Sequence, residues 1–185
     1  KDRLVEAAVQ ALDIAVRRLP EQARPILEEF LQHPASIFRR LAIHTIRANR
    51  QVCQDLWLLL FTESRFLEDL HIHHEFWWLM HDTCSMVPAR SRTEFVERLL
   101  NRLPRKKVED QEKRDAKRYL ILKQLWAIRE DLPSDQQRKV LAELVDQYGV
   151  PNHPDFLSYT SGGAGWVTSQ SPKDLSALSA EEILT

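Results

Sequence analysis

The sequence predicts an all-α protein: an irregular HEAT-like α-solenoid of antiparallel helical hairpins, followed by a C-terminal strap. Apolar residues recur at three- and four-residue steps along most of the chain, which is the period of a helix face. No segment of four to eight residues alternates apolar and polar positions between turn signals, so the strand pattern is missing. The backbone punctuation agrees. Glycine is scarce at 4 residues, three of them at Gly162, Gly163 and Gly165, and prolines fall at the ends of the periodic stretches.

Leu4, Ala8, Leu12, Ala15 and Leu19 give one apolar stripe from Arg3 to Leu19, stopped by Pro20. A second helix is expected from Glu21 or Pro25, with Ile26, Leu27, Phe30 and Leu31 inward and Pro34 at its end. Ser36 caps a third, whose stripe is Ile37, Phe38, Leu41, Ala42 and Ile46, to about Asn49. Residues 25–49 thus read as two short antiparallel helices about a proline turn. That is the unit of HEAT-type repeats, in which neither helix can bury its face alone.

Gln51–Phe61 is apolar nearly all round and is expected to be central. Thr62 to Arg65 starts a fifth helix carrying Phe66, Leu67 and Leu70. A sixth runs from His73 to Met86, closed by Pro88, and Ser91–Leu103 forms an amphipathic seventh ended by Pro104. Arg105–Arg118 holds seven basic and four acidic residues and reads as a loop entering a long solvated helix start. Tyr119, Leu122, Leu125, Trp126 and Ile128 carry that helix inward. Pro133-Ser134-Asp135 starts the next, with Gly149 at its C-terminal cap. About nine helices result, or roughly four units at ~40 residues each. Residues 1–149 form the helical-repeat domain, and 150–185 an ordered strap plus the start of a further helix near Ser179. Asp155–Tyr159 and Trp166 are the apolar anchors expected to hold the strap.

Bulk properties exclude several function classes. Hydrophobic residues make up 43% and charged residues 29% of the 185, with net charge −1. No global field therefore draws the chain to nucleic acid or an anionic membrane. The longest apolar run, Leu56–Phe61, is far short of the ~20 residues that span a bilayer. Cys53 and Cys84 sit in apolar helical contexts and read as buried thiols in a reducing, cytoplasmic compartment. The opening KDRLVEAAVQ has no signal-peptide pattern. It lacks an initiator Met, and Ile183-Leu184-Thr185 stops in mid-pattern, so both ends read as cut from a longer chain.

Candidate chemistry is sparse. His71, His73, His74, His81 and Asp82 cluster in HIHHEFWWLMHD. His74 and His81 lie seven apart on one helix face, but zinc favours ligands one turn apart. The metalloprotease pattern needs a second His where Trp78 stands. Histidines at a half-exposed helix junction are the better reading. Trp77-Trp78 points two ways around a helix, one ring to the core and one to a rim, where tryptophan often anchors a protein partner. Arg39, Arg40, Arg47 and Arg50 follow one face and could meet phosphates. Glu28, Glu29 and Asp55 nearby in sequence, and the neutral total, favour a solvated face. Arg105-Lys106-Lys107 is discounted because Glu109, Asp110, Glu112 and Asp115 follow. Gly162-Gly163-Ala164-Gly165 lacks the Lys-Ser/Thr of a phosphate loop and the strand of a dinucleotide fingerprint. No catalytic, cofactor or metal residue is assigned.

From Tyr119 onward the order of elements resembles a region near the C-terminus of large bacterial STAND-type NTPases of antiphage defence. The residues that carry the likeness are Trp126-Ala127-Ile128-Arg129 running into Leu132-Pro133, the Leu141–Tyr148 helix, and Asn152-His153-Pro154-Asp155-Phe156. Gly162-Gly163-Ala164-Gly165-Trp166 and Ser171-Pro172 leading to Leu175–Glu182 follow. HHEFWWLMHD and the Pro88–Pro104 helix resemble segments preceding it. The resemblance implies a helical sensor that recognises a foreign or phage protein, or other domains of its parent, with ATPase and effector domains N-terminal to Lys1. No Walker motif is present here, so no hydrolysis is expected of this chain. The alternative is a nucleic-acid-binding helical-repeat module using the basic faces.

Overall fold

The computed structural model describes residues 2–104 and 111–151, with nine α-helices and no strand among them. The first three are α1 (Asp2–Arg18), α2 (Pro20–Gln32) and α3 (Ser36–Ala48). α4 (Gln54–Thr62) and the short α5 (Ser64–Glu68) follow, then α6 (His73–Thr83) and α7 (Ala89–Asn101). α8 (Gln111–Ala127) and α9 (Asp135–Tyr148) complete the set. The expected strap, its anchors and the helix start near Ser179 lie outside the described residues, as does Arg105-Lys106-Lys107.

Most boundaries follow from local chemistry. Pro20 does not stop α1 so much as start α2, occupying its first position, where a missing N–H costs nothing. Pro25 lies inside α2, although its ring removes one backbone hydrogen bond there. α6 ends three residues before the expected Met86, because Cys84–Met86 tightens into a 3-10 turn. Trp126-Ala127-Ile128-Arg129 is likewise not all α-helix: α8 stops at Ala127 and a 3-10 turn covers Arg129–Asp131. α9 has both expected ends. Ser134 and Gln137 form a reciprocal capping box, and Gly149 takes φ +79°, a conformation that favours glycine.

The core differs from the expected one in two places. On α1 the fully buried residue is Val16, with Leu12 and Ala15 partly covered, whereas Leu4 is 79% exposed. The helix packs on α2 and α3 around Val16, and among the described residues none covers the N-terminal end of the stripe. On α4, Leu56, Trp57, Leu60 and Phe61 are buried, but Leu59 is exposed, as is Val52 in the preceding turn. That helix has one uncovered side. Its aromatic end is nonetheless central: the Phe61 ring lies 4.7 Å from Phe95 on α7 and 6.5 Å from Phe76 on α6. Arg98 of α7 donates to the carbonyls of Phe61 and Thr62, capping the last turn of α4 from outside.

The helices pack in a regular order. α1 lies on α3, α3 on α6 and α6 on α8. α2 packs on α3, α4 on α3 and α7, and α9 on α8. The first succession positions the candidate site.

Candidate interaction face on α3 and α6

α3 and α6 run in the same direction, held by ion pairs at matched register. Arg40 Nε donates to Glu75 Oε1 at 2.9 Å, and Arg47 Nε to Asp82 Oδ2 at 2.7 Å. Both pairs span 35 residues, so a step of seven along one helix equals a step of seven along the other. At the near end Arg39 Nε reaches Asp69 Oδ2 at 2.8 Å, while its Nη1 donates to the carbonyls of His33 and Pro34. The pairs are partly buried: the Arg39 and Asp69 side chains are 15% and 19% exposed. A desolvated, hydrogen-bonded pair is worth more than a surface one, which is usually under ~1 kcal/mol.

These contacts decide the fate of the expected basic stripe. Arg39, Arg40 and Arg47 spend their charge on carboxylates of the same chain, and Arg50 is exposed. The acids that meet them are Asp69, Glu75 and Asp82, not the Glu28, Glu29 and Asp55 that neighbour them in sequence. Arg24 of α2 takes up Glu28 and Asp55 instead.

The tryptophan pair divides as the sequence suggests. Trp77 is buried and its Nε1 donates to the Lys123 carbonyl of α8 at 2.8 Å. Trp78 is half-buried, with the Arg47 guanidinium 4.8 Å above its ring. His81 stacks on Trp77 at 5.4 Å and its Nδ1 lies 2.9 Å from Asp82 Oδ1. Burial tends to raise the Asp82 carboxyl, but hydrogen bonds from His81 and Arg47 hold it below the ordinary range. Arg47, Trp78, His81 and Asp82 therefore form one polar and aromatic surface at the α3–α6 seam.

The histidines do not converge on a metal. His71 and His81 are exposed, His74 is half-buried and His73 is buried. Among the described residues no group of three or more His, Cys, Asp or Glu is disposed to hold an ion. Burial, then Lys123 and His74, push the His73 imidazole down to about 4. The thiols are inert for a related reason. Burial raises Cys53 to about 11 and Cys84 to about 12, helped by Asp55 and Asp131 respectively. Cys53 lines a cavity of ≈ 50 Å³ between Val16, Leu27 and Leu56. That is far below the ~300–1,000 Å³ of small-molecule sites.

Sequence reasoning gave no role to His44 of α3, an exposed ring within electrostatic range of Arg47 on its own helix, Glu75 and His74 of α6 and Asp13 of α1. It also missed the link between α1 and α3, where Asn49 Nδ2 donates to Asp13 Oδ1 at 2.8 Å and Arg17 Nε to Asn49 Oδ1 at 3.2 Å. A signal existed. Arg40/Arg47 and Glu75/Asp82 repeat the same seven-residue step at a constant offset, which a search for complementary charges would find. No protein-family model, curated protein or solved structure matches the chain.

Proposed function

We propose that this chain is a non-catalytic protein-binding module, a sensor or scaffold, built as an irregular HEAT-like α-solenoid. The observation that carries the reading is the recurring offset between successive helices. Asn49 meets Arg17 and Asp13 at separations of 32 and 36 residues, and α3 meets α6 at 35. Helical-repeat units run to ~33–47 residues and set each helix beside its counterpart one unit on. Such stacks present long, solvent-facing surfaces, and the one at the α3–α6 seam has the Trp and Arg composition of protein contact sites. Following the resemblance, the parent is a large cytoplasmic bacterial STAND-type NTPase of antiphage defence. The partner is then a phage protein or another domain of that parent, and no cofactor takes part.

The nucleic-acid alternative, which uses the Arg39/Arg40/Arg47/Arg50 and Arg105–Lys107 surfaces, is less favoured, because Arg39, Arg40 and Arg47 of the first are already paired with carboxylates. Binding of the purified chain to a phage-protein panel and to domains of its parent gene product tests the main reading. A micromolar or tighter partner, weakened about tenfold or more by Trp78→Ala and Arg47→Ala, is expected. If no protein binds while single-stranded or duplex DNA does at low salt, the alternative takes its place.

A further inference from the structure

We propose that the groove between α2 and α4 is a second binding site, which takes one aliphatic side chain from a partner segment whose neighbouring residues are basic. The groove follows from how these helices are supported. α2 packs on α1 and α3, and α4 packs on α3 and α7, while α2 and α4 do not pack closely on each other. Arg24 of α2 reaches Asp55 of α4 across the gap, so the two helices are joined there by side chains. The residues that line the groove come from α1, α2, α4 and the turn before α4. None belongs to the α3–α6 face.

The floor is apolar and uncharged. Val16, Leu27, Cys53 and Leu56 are between 1% and 4% exposed and bound a space of ≈ 50 Å³. Burial, then Asp55, push the Cys53 thiol up to about 11, so it stays protonated and offers only a weak donor. A charged or strongly polar group has nothing there to replace its water. A water molecule needs about 10–15 Å³ of such space, so the groove takes roughly three to five groups of that size. That matches the side chain of Val, Leu, Ile or Met and is too small for an indole. Val52 lines the groove while 52% exposed, and an aliphatic guest would cover this apolar surface.

The mouth is acidic. Glu21, Arg24 and Asp55 line it, and Arg24 also holds Glu28 at 2.9 Å. The hydrogen bond to Glu28, then the charges of Asp55 and Glu21, hold Arg24 more firmly protonated than an ordinary guanidinium. Three carboxylates thus surround one guanidinium, which leaves two negative charges in excess. The side chains of Arg24, Glu28 and Asp55 are 43–50% exposed, so this excess is open to a partner. The other cations nearby in sequence do not cancel it. Arg17 is engaged with Asp13 and Asn49, and Arg18 and Arg50 do not line the groove. Lys or Arg beside the aliphatic anchor answers the excess charge, and Asp or Glu there is repelled.

Panning a random-peptide display library on the whole chain, with Val52→Trp as the counter-selecting bait, tests the groove. Val52 is half exposed, so an indole at that position covers the mouth without entering the core. The bait is intact at the α3–α6 seam, so either face can fail without the other. Retained peptides are expected to share Val, Leu, Ile or Met flanked by Lys or Arg. Such a peptide, synthesised and titrated, should shift the methyl resonances of Val16, Leu27, Val52 and Leu56 and leave those of Val140 and Leu144 in place. Its affinity should fall about tenfold or more on Val52→Trp, or when its own anchor is changed to Ala. Glu21→Gln/Asp55→Asn should weaken it about three- to tenfold, and Glu94→Gln on α7 should not. If Val52→Trp does not fold, the Glu21→Gln/Asp55→Asn chain, altered only at exposed side chains, takes its place as bait. The proposal is overturned if no peptide distinguishes wild type from the bait, or if the retained sequences are acidic or lack an aliphatic residue. It is also overturned if Val52→Trp dissociates a dimer seen by sedimentation, since the occupant is then a second copy of the chain.

Discussion

Phe61 is the residue on which the core turns. It is 1% exposed and brings α4 into ring contact with both α6 and α7. Truncation to alanine removes the ring and leaves a cavity bounded by three helices that cannot all move inward. Phe61→Ala should therefore cost ~3–5 kcal/mol in urea unfolding, against well under 1 kcal/mol for Leu4→Ala, whose side chain is 79% exposed. The two thiols make a second residue-scale case. With Cys53 held at about 11 and Cys84 at about 12, almost no thiolate exists at pH 8. Ellman's reagent should label the native protein orders of magnitude more slowly than the urea-unfolded chain, where both thiols approach ~8.5. Prompt labelling of either cysteine in the native state would contradict their burial.

At the scale of one element, α9 shows how local chemistry fixes a helix. Ser134 Oγ accepts from the Gln137 N–H while the Gln137 side chain accepts from the Ser134 N–H. Ser134→Ala breaks the reciprocal pair and should cost ~0.5–2 kcal/mol, measured by thermal or urea denaturation. Gly149→Ala should cost ~1–3 kcal/mol through backbone strain alone, because φ +79° with ψ 170° is a region open essentially to glycine and no neighbour lies within 4 Å of an added Cβ. Both ends were legible in the sequence because capping involves only residues three or four apart. The same reasoning failed on α1. A stripe shows which residues could be buried, but only neighbouring helices decide which are, and α2 and α3 cover Val16 rather than Leu4.

Across the whole molecule, the register of α3 on α6 is the feature with most consequence. Arg47 and Asp82 are 31% and 22% exposed, whereas the helix-surface pair Arg90–Glu94 is 91% and 55% exposed. A double-mutant cycle with Arg47→Ala and Asp82→Ala should give a coupling of ~1 kcal/mol or more, and the Arg90–Glu94 cycle ~0.5 kcal/mol or less. Equal couplings would show that the seam is as loosely held as an open surface. The candidate face itself was half legible. Trp78 at a rim could be read from its place beside Trp77, because adjacent residues point ~100° apart on a helix. The partners of Arg39, Arg40 and Arg47 could not, since the acids nearest in sequence are not the ones nearest in space. By itself the sequence determined the helical class and, among the described residues, the number of helices and most of their ends, because period, proline and caps act within a few residues. Tertiary structure alone decided that Arg40 and Arg47 of α3 are neutralised by α6 and that His73 is buried beside Lys123 of α8. Those outcomes depend on which helices meet across 30 to 46 residues of chain, and on the water their meeting excludes.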